Sequence, residues 1–162
     1  IRICLVGSEM CIRDSRLNKQ KAGLLIICSW RSSRMEAAQT SALALYVGLN
    51  LLLTFLLALN VVRHRFKGDS VDQVKLEKAV RAHGNNTEYV PIILIGLGVM
   101  AMMGASAQTI SILGGTLFVA RIFHAYGIQQ PKMPNIFGMV GNITTWLVML
   151  CVATTLLLQG IG

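Results

Sequence analysis

The sequence predicts an all-α membrane protein in which four helices form one compact bundle. Of its 162 residues, 54% are hydrophobic and 14% charged, and its mean hydropathy is +0.60, whereas a soluble domain is typically about 45–50% apolar. The apolar residues are gathered into four long runs. A run of about 20 residues in a helix crosses the roughly 30 Å hydrocarbon core of a bilayer.

These runs predict membrane spans at about residues 41–62, 74–103, 107–125 and 137–158. The first span carries no charge. Gly68, Asp69 and Ser70 then favour a turn, and Asp69 or Ser70 is expected to cap the second helix. That helix is long and polar at its start, so its first turns are expected to project into water. With short loops throughout, residues 35–162 are expected to form a single four-span domain.

The first 34 residues have no helical or strand period. Their apolar piece, residues 22–30, is too short to span a bilayer, and no small-residue cleavage site follows it. The string GSEMCIRDS resembles translated sequencing-adapter sequence. We therefore expect residues 1–34 to be a non-native or disordered leader, with a targeting sequence as the alternative, and Met35 to be the natural start.

Basic residues predict the orientation. The first loop and the polar start of the second helix hold six of them, the third loop holds Lys132, and the second loop holds none. The positive-inside rule then places the first and third loops in the cytoplasm. The net charge of +8 comes largely from the leader and forms no basic stripe with interleaved aromatic residues, so no nucleic-acid partner is expected. No Cys or His pattern has the spacing of a metal site.

The stretch RAHGNNTEYVP places polar residues where the second span begins. Arg81, Asn85 and Glu88 share one helical face, with Tyr89 beside them, while Asn86 points well away. A charge at mid-membrane costs roughly 2.5–3.5 kcal/mol on insertion scales, so this face is expected to meet a partner. The face suits an inter-helix ion pair. It equally suits a small zwitterionic ligand, because arginine clamps a carboxylate and glutamate accepts from an ammonium group.

The third span ends in a second polar cluster, VARIFHAYGI. Arg121, His124 and Tyr126 lie there, at the same cytoplasmic level as Arg81. Alone, Arg121 would be an ordinary snorkelling side chain, and His124 an interfacial polar residue. Together with the second helix they are expected to line one cleft. Asn50, in the first span, is expected to make a helix–helix hydrogen bond.

These two stretches carry a family resemblance. RAHGNNTEYVP resembles the R-A-x-x-N-x-x-E-Y-x-P signature of the MAPEG family, the membrane-associated proteins of eicosanoid and glutathione metabolism, and ARIFHAYG resembles their A-R-[IL]-x-[HY] segment. The resemblance covers about residues 35–162. It implies a homotrimer with glutathione as co-substrate, bound between neighbouring subunits near the cytoplasmic face. The glutathione-binding residues would be Arg81, Asn85, Glu88 and Tyr89, with Arg121 and His124 bordering the pocket.

Two positions depart from the family pattern. Ile128 stands where characterised members have a tyrosine, and no arginine is found near the start of the fourth helix, where Lys132 is the available cation. The candidate catalytic residues are therefore Arg121, His124, Tyr126 and Lys132. The expected function is glutathione conjugation of apolar electrophiles, or reduction of lipid hydroperoxides, in a bacterial inner membrane. A non-enzymatic scaffold or lipid-binding trimer is the main alternative. A small transporter is disfavoured because the first span contains no acidic residue.

Overall fold

The computed structural model describes residues 36–66, 72–131 and 134–161, and over these ranges the chain forms four helices and no strand. The helices are α1 (Glu36–Arg65), α2 (Gln73–Met102), α3 (Ala107–Gln129) and α4 (Ile136–Ile161). The predicted all-α bundle is confirmed. The expectations for residues 1–34 and for Lys132 fall outside the described ranges.

Three of these helices, α1, α3 and α4, are long and apolar enough to cross a membrane. Helix α2 has 30 residues and would extend about 45 Å, well beyond a hydrocarbon core of roughly 30 Å. Its first half carries the charged and polar residues. This agrees with the expectation that the first turns of α2 leave the apolar layer, and the chain is a multi-pass membrane protein.

The end of α3 lies beyond the predicted membrane span. That span was expected to end at about Ala125, and the helix continues to Gln129. Gln130 is extended, with φ −68° and ψ 149°, because the ring of Pro131 disfavours helical geometry in the residue before it. The proline therefore determines where the helix ends, and Tyr126 lies inside the last turns of α3.

The N-terminus of α2 is capped by Asp72. Its carboxylate accepts a hydrogen bond from the backbone N–H of Lys75 at 3.1 Å and forms an ion pair with the Lys75 ammonium at 3.0 Å. The hydrogen bond from the Lys75 side chain is the main reason that the pKa of Asp72 lies below its usual value. The predicted caps, Asp69 and Ser70, lie outside the described residues, and the observed cap, Asp72, follows them in the chain.

Helices α2 and α3 are joined by a tight turn built on Gly104. Its φ of +89° lies in the left-handed region that favours glycine. Gly104 N–H donates to Ala101 O at 3.1 Å, and Ala105 N–H donates to Met100 O at 2.9 Å, which is the Schellman pattern of helix termination. Ser106 then caps α3. The turn folds α3 back along α2.

Two apolar clusters hold the helices together. The larger one joins α2, α3 and α4, and the smaller one joins α1, α2 and α3 near the polar residues. The buried members are Ile93, Leu97, Met100, Ile110, Leu117, Val148 and Val152 in the larger cluster, and Leu57, Ala82, Ala125 and Ile128 in the smaller one. The smaller cluster brings the helix that carries Arg81 against the helix that carries Arg121.

Helices α3 and α4 approach closely at Gly141. A methyl group at this position would lie 2.5 Å from the carbonyl oxygen of Ala120 and 2.5 Å from the backbone nitrogen of His124. Both atoms belong to the α3 backbone and cannot rotate away. The missing side chain at Gly141 is therefore what allows α4 to lie directly against the part of α3 that carries His124.

Candidate functional site

Arg121 is the centre of the candidate site. Its side chain is fully buried, and its Nε–H donates to Asn86 Oδ1 at 3.1 Å. The terminal nitrogens Nη1 and Nη2 are also buried, and neither has a hydrogen-bond partner among the residues that the structure describes. The guanidinium carbon lies 5.9 Å from the centre of the Tyr89 ring, within cation–π range. The site thus contains a cation with two uncommitted donor groups.

Arg121 does not snorkel from a helix end, which was the interpretation of this residue taken alone. The helix continues for eight residues to Gln129, about 12 Å along its axis. The guanidinium also points into the bundle rather than towards water, since it hydrogen-bonds to a residue of α2. A charge so placed requires polar partners or a ligand.

Asn86 connects Arg121 to α1. The Asn86 amide donates from Nδ2 to Thr54 Oγ1 at 2.8 Å, and the Thr54 hydroxyl donates to the Asn50 carbonyl at 2.8 Å. The Asn50 side chain itself donates to Tyr46 O, within α1, at 2.8 Å. The helix–helix hydrogen bond expected from Asn50 is therefore made by Thr54 and Asn86 instead.

The sequence interpretation placed Asn86 away from Arg81, which is correct, but did not recognise that this opposite face is the buried one. A signal for it exists in the sequence. Asn86 falls in a stripe of small and apolar residues with helical spacing, and its buried members are Ala79, Ala82, Asn86, Val90, Ile93 and Leu97. A single amide within such a stripe indicates a polar contact inside the bundle.

The predicted glutathione face of α2 points outward from the single chain. Arg81 and Glu88 are exposed, while Asn85 and Tyr89 are half-buried. Arg81 forms an ion pair with Glu77, one turn earlier on its own helix, at 3.0 Å. Glu88 has no ion-pair partner among the described residues, so the alternative of an inter-helix ion pair is not found in that part of the chain. Tyr89 is the member of this face that reaches Arg121.

His124 lies one turn after Arg121 on α3 and is buried. Its Nδ1 lies 3.0 Å from the Gly138 carbonyl on α4. Since a carbonyl can only accept, Nδ1 carries a hydrogen. The Nε2 atom is buried and has no partner in the described part of the chain. His124 therefore offers a second uncommitted nitrogen next to Arg121 along the helix.

Tyr126 is not brought to Arg121. Five residues of helix turn it about 140° away, and it is 54% exposed. Its ring packs edge-to-face on Phe137, with 5.5 Å between the ring centres. The structure therefore separates Tyr126 from the other candidate catalytic residues of α3.

The positions that depart from the family pattern have structural roles. Ile128 is buried in the smaller apolar cluster. Asn135 precedes α4 and links it to α3: its Nδ2 donates to Gly127 O at 2.6 Å, and its Oδ1 accepts from Gly138 N–H at 2.8 Å. The described start of α4 thus supplies an amide, while Lys132 lies outside the described residues.

An apolar groove of about 410 Å³ runs along the outer surface between α3 and α4. Its lining residues are Gly115, Thr116, Val119, Ala120, Phe123, Val140, Gly141 and Thr144. Two of them flank the functional cluster, because Ala120 precedes Arg121 and Gly141 contacts the backbone of His124. The groove gives an apolar molecule space next to the helix segment that carries the buried cation.

Comparison with known proteins supports the resemblance seen in the sequence. The model of the MAPEG family matches residues 43–158. The chain is 37% identical over 92 residues to the inner membrane protein YecN of Escherichia coli K12, covering 54% of this chain and 70% of that protein. YecN of E. coli O6:H1 matches to the same extent. No solved structure matches the chain.

Proposed function

We propose that this chain, which belongs to the MAPEG family, is a glutathione-dependent transferase or peroxidase of a bacterial inner membrane. Glutathione is the proposed co-substrate, and the second substrate is an apolar electrophile or a lipid hydroperoxide. The location follows the name of the E. coli relative, and the chemistry follows the glutathione metabolism from which the family takes its name.

The observation that carries the proposal is the buried guanidinium of Arg121. Its two terminal nitrogens have no hydrogen-bond partner among the described residues, although an unpaired buried charge is costly. An anion held against them would offset that cost with charge-assisted hydrogen bonds. The Tyr89 ring of α2 lies against the same guanidinium. The anion would therefore lie next to residues from both stretches that resemble the family, one on α2 and one on α3.

A glutathione thiolate suits this position. A free thiol has a pKa of about 8.5, so little of it is ionised at neutral pH. Lowering that pKa by about two units requires roughly 2.7 kcal/mol of preferential stabilisation of the thiolate. One buried arginine that donates hydrogen bonds to the sulfur in a water-poor site is sufficient for this.

The reaction then follows from the thiolate. In conjugation, sulfur attacks the electrophilic carbon, a C–S bond forms, and the leaving group departs with the bonding electrons. In reduction of a hydroperoxide, sulfur attacks the terminal oxygen, the O–O bond breaks, and the alkoxide takes a proton to give an alcohol. A second glutathione then converts the sulfenic acid to glutathione disulfide and water. The unpaired Nε2 of His124 is the proposed group for proton transfer.

The outward face of α2 is proposed to hold the rest of the glutathione molecule. Arg81 is suited to a glutathione carboxylate and Glu88 to its ammonium group, with Asn85 and Tyr89 between them. Because this face is open on the single chain, we propose that a second copy of the chain covers it in a homotrimer. The apolar groove between α3 and α4 is the proposed approach for the electrophile.

The test is a calorimetric titration of the full chain in detergent with glutathione, followed by ultraviolet absorbance of the bound thiolate. We expect binding with a thiolate band. Arg81→Ala and Glu88→Gln should weaken binding by about tenfold or more each, as expected for loss of one charge-assisted contact. Lys75→Ala, an exposed cation on the same helix, is the matched control. Unchanged affinity in folded Arg81→Ala and Glu88→Gln would refute the proposed binding face.

A non-enzymatic scaffold remains the second candidate, because no arginine follows α3 in the printed sequence and Asn135 occupies the start of α4. The same titration separates the two. Binding without a thiolate band would favour a protein that holds glutathione and does not activate it. No binding would favour a scaffold in which Arg81 and Glu88 have only a structural role.

A further inference from the structure

We infer that Asn86 is a positioning residue that fixes the guanidinium of Arg121 in its reactive orientation. The inference rests on the proposed function, since it concerns the thiolate that Arg121 would stabilise. Asn86 occupies a variable position of the family signature, between Asn85 and Glu88, and is fully buried. Its importance comes from its two hydrogen bonds, one to α3 and one to α1.

The first bond determines the plane of the guanidinium. An arginine side chain presents five N–H donors in a planar fork. The bond from Nε to Asn86 Oδ1, at 3.1 Å, holds the one donor nearest the aliphatic stem. Rotation of the fork is thereby restricted, and the uncommitted donors are those at Nη1 and Nη2. Without Asn86 the buried guanidinium would turn to satisfy its own donors.

The second bond determines which end of the Asn86 amide faces Arg121. The hydroxyl hydrogen of Thr54 is donated to the Asn50 carbonyl at 2.8 Å, so Thr54 Oγ1 can only accept from Asn86. The amide must present Nδ2 to Thr54, at 2.8 Å, and Oδ1 to Arg121. A flipped amide would place two donors against each other at Arg121 and two acceptors against each other at Thr54. The hydrogen bonds among α1, α2 and α3 therefore fix the orientation of the Asn86 amide.

A neutral amide also preserves the charge of Arg121. A carboxylate at the same position would form an ion pair with the guanidinium and compensate its charge before any thiolate arrived. Asparagine accepts the same hydrogen bond without a counter-charge. This arrangement predicts that Asp and Leu at position 86 both impair thiolate formation, for different reasons: Asp neutralises the cation, and Leu releases it.

The experiment measures the pKa of the bound glutathione thiol, by ultraviolet absorbance against pH, in the full chain and in Asn86→Asp, Asn86→Leu and Thr54→Val. We expect Asn86→Asp and Asn86→Leu to raise the pKa of the bound thiol by about one unit or more, which makes the ratio of thiolate to thiol about tenfold smaller. Thr54→Val should also raise the pKa of the bound thiol, because Thr54 is linked to Arg121 through Asn86. Glutathione affinity above that pKa should change much less.

Thr155→Val is the matched control, because Thr155 is half-buried and donates to the carbonyl four residues earlier at 2.8 Å, as Thr54 does. An unchanged thiol pKa in both Asn86 variants, with a normal thiolate band in the parent chain, would overturn the inference and leave the proposed function standing. A parent chain with no thiolate band would overturn both. Should the Asn86 variants not fold, an unchanged pKa in the isosteric Thr54→Val would be decisive against the inference.

Discussion

Gly141→Ala should destabilise the bundle by opening the contact between α3 and α4. The added methyl would lie 2.5 Å from Ala120 O, 2.5 Å from His124 N and 2.9 Å from His124 Cα. All three obstructing atoms belong to the backbone of α3, so no change of rotamer removes the clash. The helices must separate by roughly 0.5–1 Å, a gap that forfeits a quarter to a half of the dispersion energy of the contacts it opens.

The magnitude follows from two opposing effects. Overpacking of a filled interior costs roughly 1–3 kcal/mol, and a rigid backbone clash belongs near the upper end. Replacement of a helical glycine by alanine returns about 1 kcal/mol of helix propensity. We therefore expect a net loss of about 2 kcal/mol in the free energy of unfolding, or an about thirtyfold larger unfolded fraction.

The assay is reversible unfolding in mixed micelles with increasing dodecyl sulfate, followed by circular dichroism. Gly48→Ala is the matched control, because it is also a helical glycine but has no heavy atom within 4 Å of an added methyl. The control should be neutral or slightly stabilising. If Gly141→Ala were as stable as Gly48→Ala, the close approach of α3 and α4 at this position would be refuted.

Three further predictions concern the packing of α2 and the two helix caps. Gly96→Ala should lower the free energy of unfolding by about 1–2 kcal/mol, because its methyl would lie 2.6 Å from Val152 Cγ1. In the double variant with Val152→Ala, the two losses should be less than additive in the same unfolding assay. Full additivity would contradict the contact. Asn135→Ala should lower the free energy of unfolding by about 1–2 kcal/mol through loss of its two hydrogen bonds to the backbone. Asn135→Asp keeps the acceptor and loses the donor, so its loss should be smaller. Equal losses in the two variants would show that the cap acceptor is unimportant. The pKa of Asp72 is lowered in the folded protein, so the contribution of this cap to stability is present above the ordinary pKa of 3.8 and is lost as the pH falls through the lower folded value. The helical content of the parent should therefore decline in that acidic range more than that of Asp72→Asn. Parallel acid titrations of the two proteins would contradict this.

Hydropathy and charge were sufficient to predict the helices but not all of their ends. The runs of apolar residues determine where the chain can cross a bilayer. The third span was predicted to end near Ala125, and the helix itself continues to Gln129, because Pro131 is the first residue that a helix cannot accommodate. The cap at Asp72 was missed because earlier residues in the loop carry equally good capping side chains.

The polar residues were recognised more easily than their arrangement. Helical geometry shows that Arg81 and Asn86 face opposite directions on α2, and the stripe of small and apolar residues around Asn86 indicates the buried face. Neither observation shows that Asn86 binds Arg121, which is 35 residues further along the chain and on another helix. A contact of this kind follows from how two helices pack, and no local pattern contains it.

The hydrogen bond between Arg121 and Asn86 also bears on the order in which the helices enter the bilayer. A guanidinium on an isolated α3 would oppose insertion, by up to roughly 2.5–3.5 kcal/mol at the bilayer centre, and an amide on an isolated α2 would add its own desolvation cost. Each polar group removes much of the other's cost once the two helices are side by side. Helices α2 and α3, joined by the short turn at Gly104, are therefore expected to leave the insertion machinery together as a hairpin, with α1 already in place to receive Asn86.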